Sequence, residues 1–261
     1  MKRTVSFILF AGLVMVWAAG CSPAATVAPA TPTPPPLPPT ATPVPATPTP
    51  SAQDALGKLH WFGTSAFLYN GSKVIYFDPI TLAGNLPKAD IILVTHAHSD
   101  HWSAVDIKKI IGPNTTLIIS PNVSSYYEAS KSDLGIPATV LAEGQTTEVS
   151  GVSIQAVPAY GAGHPHEAGG DGYIVSIDGI SLYHTGGTDA FPDMAKYNCD
   201  IAFIPVYSKD KAQAIAEIIP AKVIIFEHTS YYAAKAVSDL FAQSIGGGKN
   251  FIALEAGAYN P

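Results

Sequence analysis

The chain has 261 residues, with 14 basic against 20 acidic side chains and a formal charge of −6. Its one arginine is Arg3, so the body of the chain has no guanidinium fork to grip phosphate, and the acidic balance argues against a nucleic-acid face. The length suits one sizeable domain, and two cysteines, Cys21 and Cys199, offer no disulfide framework.

Met1-Lys2-Arg3 precedes an apolar run of 13, VSFILFAGLVMVW, and then Ala18-Ala19-Gly20-Cys21. The run is too short to span a bilayer comfortably. Its order of positive, apolar and small residues predicts a secretory signal peptide over 1–20. The AAGC ending resembles a bacterial lipobox, which implies cleavage before Cys21 and lipid on its thiol. Several acyl chains, at about 0.8 kcal/mol per buried methylene, would anchor the protein to the membrane. The expected location is extracytoplasmic, at a bacterial cell membrane. Without Lys2 and Arg3 the chain carries 12 lysines against 20 acids, a charge of −8.

Residues 21–52 read as a disordered tether. The stretch 22–50 holds 12 prolines and 7 threonines, with almost nothing to bury. Fully extended at ~3.1 Å per residue it would reach on the order of 90 Å.

The domain is placed at 53–261. KLHWFG and SAFLYN predict strands, and Asn70-Gly71 followed by KVIYFDP predicts a hairpin. IILV is a short buried strand. SAVDIKKII is a helix opened by Ser103 and closed by Gly112-Pro113. TLIIS predicts a strand and NVSSYYEASK a helix. A strand-rich part follows: ATVL, TTEVS, VSIQAVP, GYIVSI and ISLYH, with a turn at Asp178-Gly179. IAFIPV, KVIIFEH and FIALE are strands, separated by helices from Lys209 to Ile219 and over SYYAAKAVSDLFAQSI. Cys199, beside IAFIPV, is expected to be packed rather than reactive. The alternation points to an α/β protein with two sheets and helices outside.

Three of the eight histidines, His96, His98 and His101, and also Asp100, crowd the loop behind IILV. Side chains at a strand's C-terminal end can converge there. Imidazole and carboxylate suit a borderline cation such as zinc. The plainer alternative is a chance cluster of exposed histidines.

THAHSDH resembles the HxHxDH motif of the metallo-β-lactamase-fold hydrolases. The resemblance extends to FDP at 77–79, LYHTGGTDAFPDM at 182–194 and FEH at 226–228. It is strongest to the branch with ascorbate-phosphate lactonase-like and other stand-alone metal-dependent hydrolases. It implies an αββα sandwich of two mixed β-sheets flanked by helices, with metal at one edge. By position it assigns His96 and His98 to a first metal, and Asp100, His101 and His228 to a second. Asp100 is also the catalytic candidate. His164 is the better candidate for the first metal's third nitrogen, with His166 left for solvent or substrate. Asp78 and His184 would lie behind the ligands, and His60 would be structural or a pocket wall. Plainer roles remain for Asp78, as a strand-ending turn residue, and for His228, as a packed histidine.

Two positions depart from the family pattern. Gly187 stands where an aspartate usually bridges two metals, and Gly63-Thr64 stands where Gly-His is common. Asp189 is not an obvious replacement for the bridge. The expectation is one or two divalent ions, zinc first and manganese or iron as alternatives, in a weakened pair or a single site. The leading reading is a hydrolase of a small ester, lactone or phosphoester. The alternative is a metal-dependent binding or sensing lipoprotein without turnover.

Overall fold

The computed structural model describes residues 52–261 apart from Ala162, His164, Gly246 and Gly247, and Tyr231 through its main chain only. The predicted signal peptide, Cys21, nearly all of the tether and His164 lie outside the described residues.

Sheet one runs in chain order: β1 (Leu59–Gly63), β2 (Ala66–Asn70), β3 (Val74–Phe77), β4 (Ile91–Val94), β5 (Thr116–Ile119) and β6 (Ala138–Val140). The pairs β1–β2 and β2–β3 are antiparallel, and β3 to β6 are parallel. Sheet two follows the same plan with β7 (Thr146–Val149), β8 (Val152–Pro158), β9 (Asp171–Ile177), β10 (Ile180–His184), β11 (Cys199–Pro205), β12 (Ala221–Glu227) and β13 (Asn250–Ile252). Here β7 to β10 pair antiparallel and β10 to β13 parallel. Both sheets are therefore mixed, as the sequence implied.

Alternation along each strand sorts side chains between two cores. Phe67, Phe77 and Leu93 of sheet one meet Tyr173, Leu182, Phe203 and Ile225 of sheet two between the sheets. Phe67 and Phe203 approach to 4.4 Å between ring centroids. Burying one such ring contributes about 1.5–3 kcal/mol. On the outer face of sheet one, α2 (Ala104–Ile110) and α3 (Ser124–Leu134) pack Ile107, Ile110, Tyr127 and Leu134 against Leu68, Ile92 and Val94. On the outer face of sheet two, α4 (Lys209–Ile218) and α5 (Tyr231–Ser244) bring Ile215 and Phe241 onto Ile204, Ile224 and Phe226. Both faces of each sheet are covered, so the strands read as apolar runs. Ser103 caps α2 by accepting from Asp106 N–H at 3.2 Å.

Two local readings change. The closing strand expected over 251–255 stops at Ile252, because the chain then crosses to sheet one and pairs Ala256 with Trp61 and Tyr259 with Gly84. A five-residue helix, Ala52–Leu56, was not foreseen, being too short to show a period. No helix among the described residues is long and apolar enough to cross a membrane.

Candidate metal centre

The chemical groups collect at the C-terminal ends of β3, β4, β10 and β12. Asp78 follows β3, Thr95 to His101 follow β4, His184 ends β10, and His228 follows β12. Asp78 and His228 hold positive φ, 42° and 54°, and so does Thr64 at the β1–β2 turn, 49°. This conformation is uncommon for non-glycine residues and turns each chain sharply at the strand end.

Asp78 is fully buried and accepts three hydrogen bonds: from Thr95 N–H at 2.7 Å, Thr95 Oγ1–H at 2.7 Å and His101 Nδ1–H at 2.6 Å. Burial raises its carboxyl above the usual range. The three donors nevertheless make it an acceptor, the arrangement of an ionised carboxylate. Because the Thr95 hydroxyl proton goes to Asp78, its oxygen can accept from His96 Nδ1, 3.0 Å away. Each of these bonds leaves the far Nε2 of its histidine bare.

Asp100, His101 and His228 offer donor atoms that all lie within 4.8 Å of one another. His101 Nε2 is 2.9 Å from His228 Nε2, and His228 Nε2 is 3.5 Å from Asp100 Oδ2. Burial, then the neighbouring His228, pushes His101 well below the ordinary imidazole value. A neutral ring is the state that coordinates metal. The Asp100 side chain is 47% exposed and opens this group to solvent. Ser65 Oγ holds the Asp100 carbonyl from behind.

His96 Nε2 lies 3.1 Å from His98 Nδ1, so these two also converge, with His96 buried and His98 exposed. His96 and His101 rings are 3.7 Å apart at their centroids, which places the two groups side by side. His166 turns to Glu143, at 2.5 Å, and packs on the Tyr160 ring. His60 donates to the Gly257 carbonyl at 2.9 Å and packs on Phe62 and Tyr259, a structural position. Gly187 is buried in the loop after β10. The nearby Asp189 carboxylate is engaged by Lys211 Nζ at 2.8 Å and would collide with a Cβ at Gly161.

His184 is fully buried, stacked on Phe77 with a 9° interplanar angle. Its Nε2 donates to Ser65 O at 2.9 Å and lies 3.1 Å from Glu227 Oε2. Two influences on this ring conflict. Burial opposes its charge, yet Glu227 draws it up to about 9. Gly186 N–H, however, donates to Nδ1 at 3.2 Å, which requires that nitrogen bare. The neutral ring satisfies both hydrogen bonds.

Three participants escaped the sequence reading. Thr95 opens THAHSDH, but a hydroxyl between an aspartate and a histidine leaves no pattern signal. Glu227 is a fully buried carboxylate beside His228. The Tyr207 ring, 40% exposed, stands 5.0 Å from His228 at the rim.

The donors present fit a divalent cation. Imidazole nitrogens and a carboxylate oxygen are zinc-type donors, and the close approach of two Nε2 atoms is the geometry a shared cation would occupy. His228 Nδ1 has no hydrogen bond, so no partner competes to claim its ring in another orientation.

The beta-lactamase superfamily domain matches residues 58–228. The UPF0173 metal-dependent hydrolase of Thermococcus kodakarensis is 31% identical over 224 residues, covering 77% of this chain and 97% of that protein. A protein of Parabacteroides distasonis described as a metal-dependent hydrolase superposes with a TM-score of 0.61 at 27% identity, over 74% of this chain and 90% of its own. Igni18, a metallo hydrolase from Ignicoccus hospitalis, shares the fold, with a TM-score of 0.62 at 21% identity over 76% and 95% of the two chains.

Proposed function

The chain belongs to the β-lactamase superfamily and, within it, to the UPF0173 metal-dependent hydrolases, and from that membership we propose that it cleaves a small ester, lactone or phosphoester while tethered to the outside of a bacterial membrane. The tether in this reading is the proline-rich segment, and the anchor is lipid on Cys21. The absence of arginine beyond Arg3 favours an ester or lactone, as in the lactonase-like branch, over a phosphoester.

The observation that carries the reading is the meeting of Asp100, His101 and His228 within 4.8 Å. These three would hold a divalent cation, with zinc the best match to their donor atoms. His96, His98 and His164 would form a second, adjoining position. A bound cation supplies water activation near neutral pH and polarisation of the substrate oxygen. Asp78 holds His101 by Nδ1 and so leaves Nε2 as the nitrogen that would meet a cation. Thr95 does the same for His96. Asp100, part exposed, would orient a water and receive its proton. Tyr207, with its ring 5.0 Å from His228, would wall the substrate side of that residue.

Gly187, at the position where the resemblance expects a bridging aspartate, offers no carboxylate, so the charge of two dications would be less well offset. One tightly held ion per chain is the expected stoichiometry. Metal analysis of purified protein tests this, and two equivalents that resist chelation would overturn it. A panel of lactones, aryl esters and phosphodiesters, assayed with zinc, manganese and iron, tests the substrate class. His101→Ala should remove turnover. The missing bridge at Gly187 favours one other reading, a sensor that binds metal and ligand without turnover. Tight ligand binding with no activity for any metal would establish that instead.

A further inference from the structure

Glu227 is the last residue of β12, and strand alternation fixes where it points. Val223 and Ile225 face the core between the sheets, whereas Ile224 and Phe226 face the outer helices. Glu227 continues the inward row, at a position where the strand pattern calls for an aliphatic side chain. It is fully buried, and neither carboxylate oxygen has a hydrogen bond. A buried carboxylate oxygen left without a hydrogen bond is costly unless something in the functional state engages it.

Its two oxygens face two histidines. Oε2 lies 3.1 Å from His184 Nε2, whose hydrogen bond already goes to Ser65 O. Oε1 lies 3.8 Å from His228 Nδ1, which is itself buried without a hydrogen bond. An orphan acceptor and an orphan ring nitrogen thus face each other less than about 1 Å beyond bonding distance. The opposite nitrogen of the same ring, Nε2, faces Asp100 and His101.

We propose that Glu227 is a positioning residue for the metal centre: its Oε1 receives Nδ1–H of His228 and so fixes Nε2 as the nitrogen turned to the cation. The contact closes by a small turn of the His228 ring or of the Glu227 side chain. Glu227 thereby does for His228 what Asp78 does for His101. The inference rests on the metal-binding reading above.

The test is zinc affinity of the full chain, measured by competition with a chromophoric chelator. Glu227→Met should weaken zinc binding 10–100-fold, the usual effect of losing such a partner. Glu227→Gln keeps an acceptor oxygen and should lose less than tenfold. In the zinc-loaded wild type, ¹⁵N NMR should find the His228 proton on Nδ1. That measurement decides the matter even if the methionine variant fails to fold. A Glu227→Met protein that binds zinc within twofold of wild type, or a proton found on Nε2, overturns the inference while leaving the metal centre standing. A wild-type protein that binds no zinc, manganese or iron overturns both.

Discussion

The N–H of His228 donates to the carbonyl of Thr64 at 3.0 Å, and both residues hold positive φ. Thr64 belongs to the β1–β2 turn of sheet one and His228 to the end of β12 in sheet two. The same carbonyl accepts from Trp61 Nε1 at 3.1 Å. Two uncommon backbone conformations therefore hold each other across the sandwich. This explains how His228 can sit past its strand end and still face His101. Thr64 acts here through its main chain.

Backbone strain at His228 gives a prediction of unusual sign. In most ordered positions alanine is more stable than glycine. At φ 54° the left-handed conformation costs a residue with a Cβ about 1–2 kcal/mol. His228→Gly should therefore exceed His228→Ala in metal-free stability by about 1 kcal/mol. Urea denaturation of the two variants would show it, and a more stable alanine variant would refute it.

Thr95 gives a second. Thr95→Val keeps the shape but removes the hydroxyl between Asp78 and His96. Leaving a buried acceptor unsatisfied costs about 1–3 kcal/mol. The metal-free protein should lose that much in urea melts, and zinc binding should weaken 10–100-fold. Thr95→Ser, which keeps the hydroxyl, should recover most of both. Equal losses in the valine and serine variants would point to packing rather than hydrogen bonding.

Asp171 gives a pH dependence. It is 1% exposed, its Oδ2 has no hydrogen bond, and burial followed by the Glu143 carboxylate raises it from 3.8 to about 7. The folded state then binds more protons than the unfolded chain between pH 3.8 and about 7. Stability from this group is full below that window and is lost as pH rises through it. From pH 5 to pH 8 the wild type should lose on the order of 2 kcal/mol relative to Asp171→Asn. Parallel urea melts at the two pH values measure the difference, and parallel lines for both proteins would contradict it.

Gly187→Asp returns a carboxylate to the loop after β10. It should raise bound zinc from one equivalent to two after equilibrium dialysis, with the second held at least tenfold more tightly than in wild type. An unchanged stoichiometry would mean that something other than the missing carboxylate limits the second position.

Much of this architecture was legible in the chain because burial leaves a local trace. IILV is buried on every side and reads as an unbroken apolar run. Asp178-Gly179 holds φ 53° and 75°, the conformation such a pair favours, and it closes the β9–β10 hairpin as expected. The histidine loop announced itself by spacing. Other features left no such trace. Glu227 was in plain view within FEH, but only its side of the strand shows that it is buried among aliphatics. Thr95 is one hydroxyl whose role depends on Asp78, 17 residues earlier. The sequence leaves His166 to solvent or substrate, and it takes Glu143, 23 residues earlier, to occupy its ring.

The distance along the chain between His101 and His228, 127 residues, has a kinetic consequence. One side of the metal group is supplied by sheet one and the other by sheet two. A half-folded chain with either sheet alone presents at most a fragment of the donor set. Contacts so remote in sequence form slowly, since their loop must close first. Metal uptake during refolding should therefore lag behind strand formation and report the docking of the two sheets, so that the ion marks completion of folding rather than nucleating it.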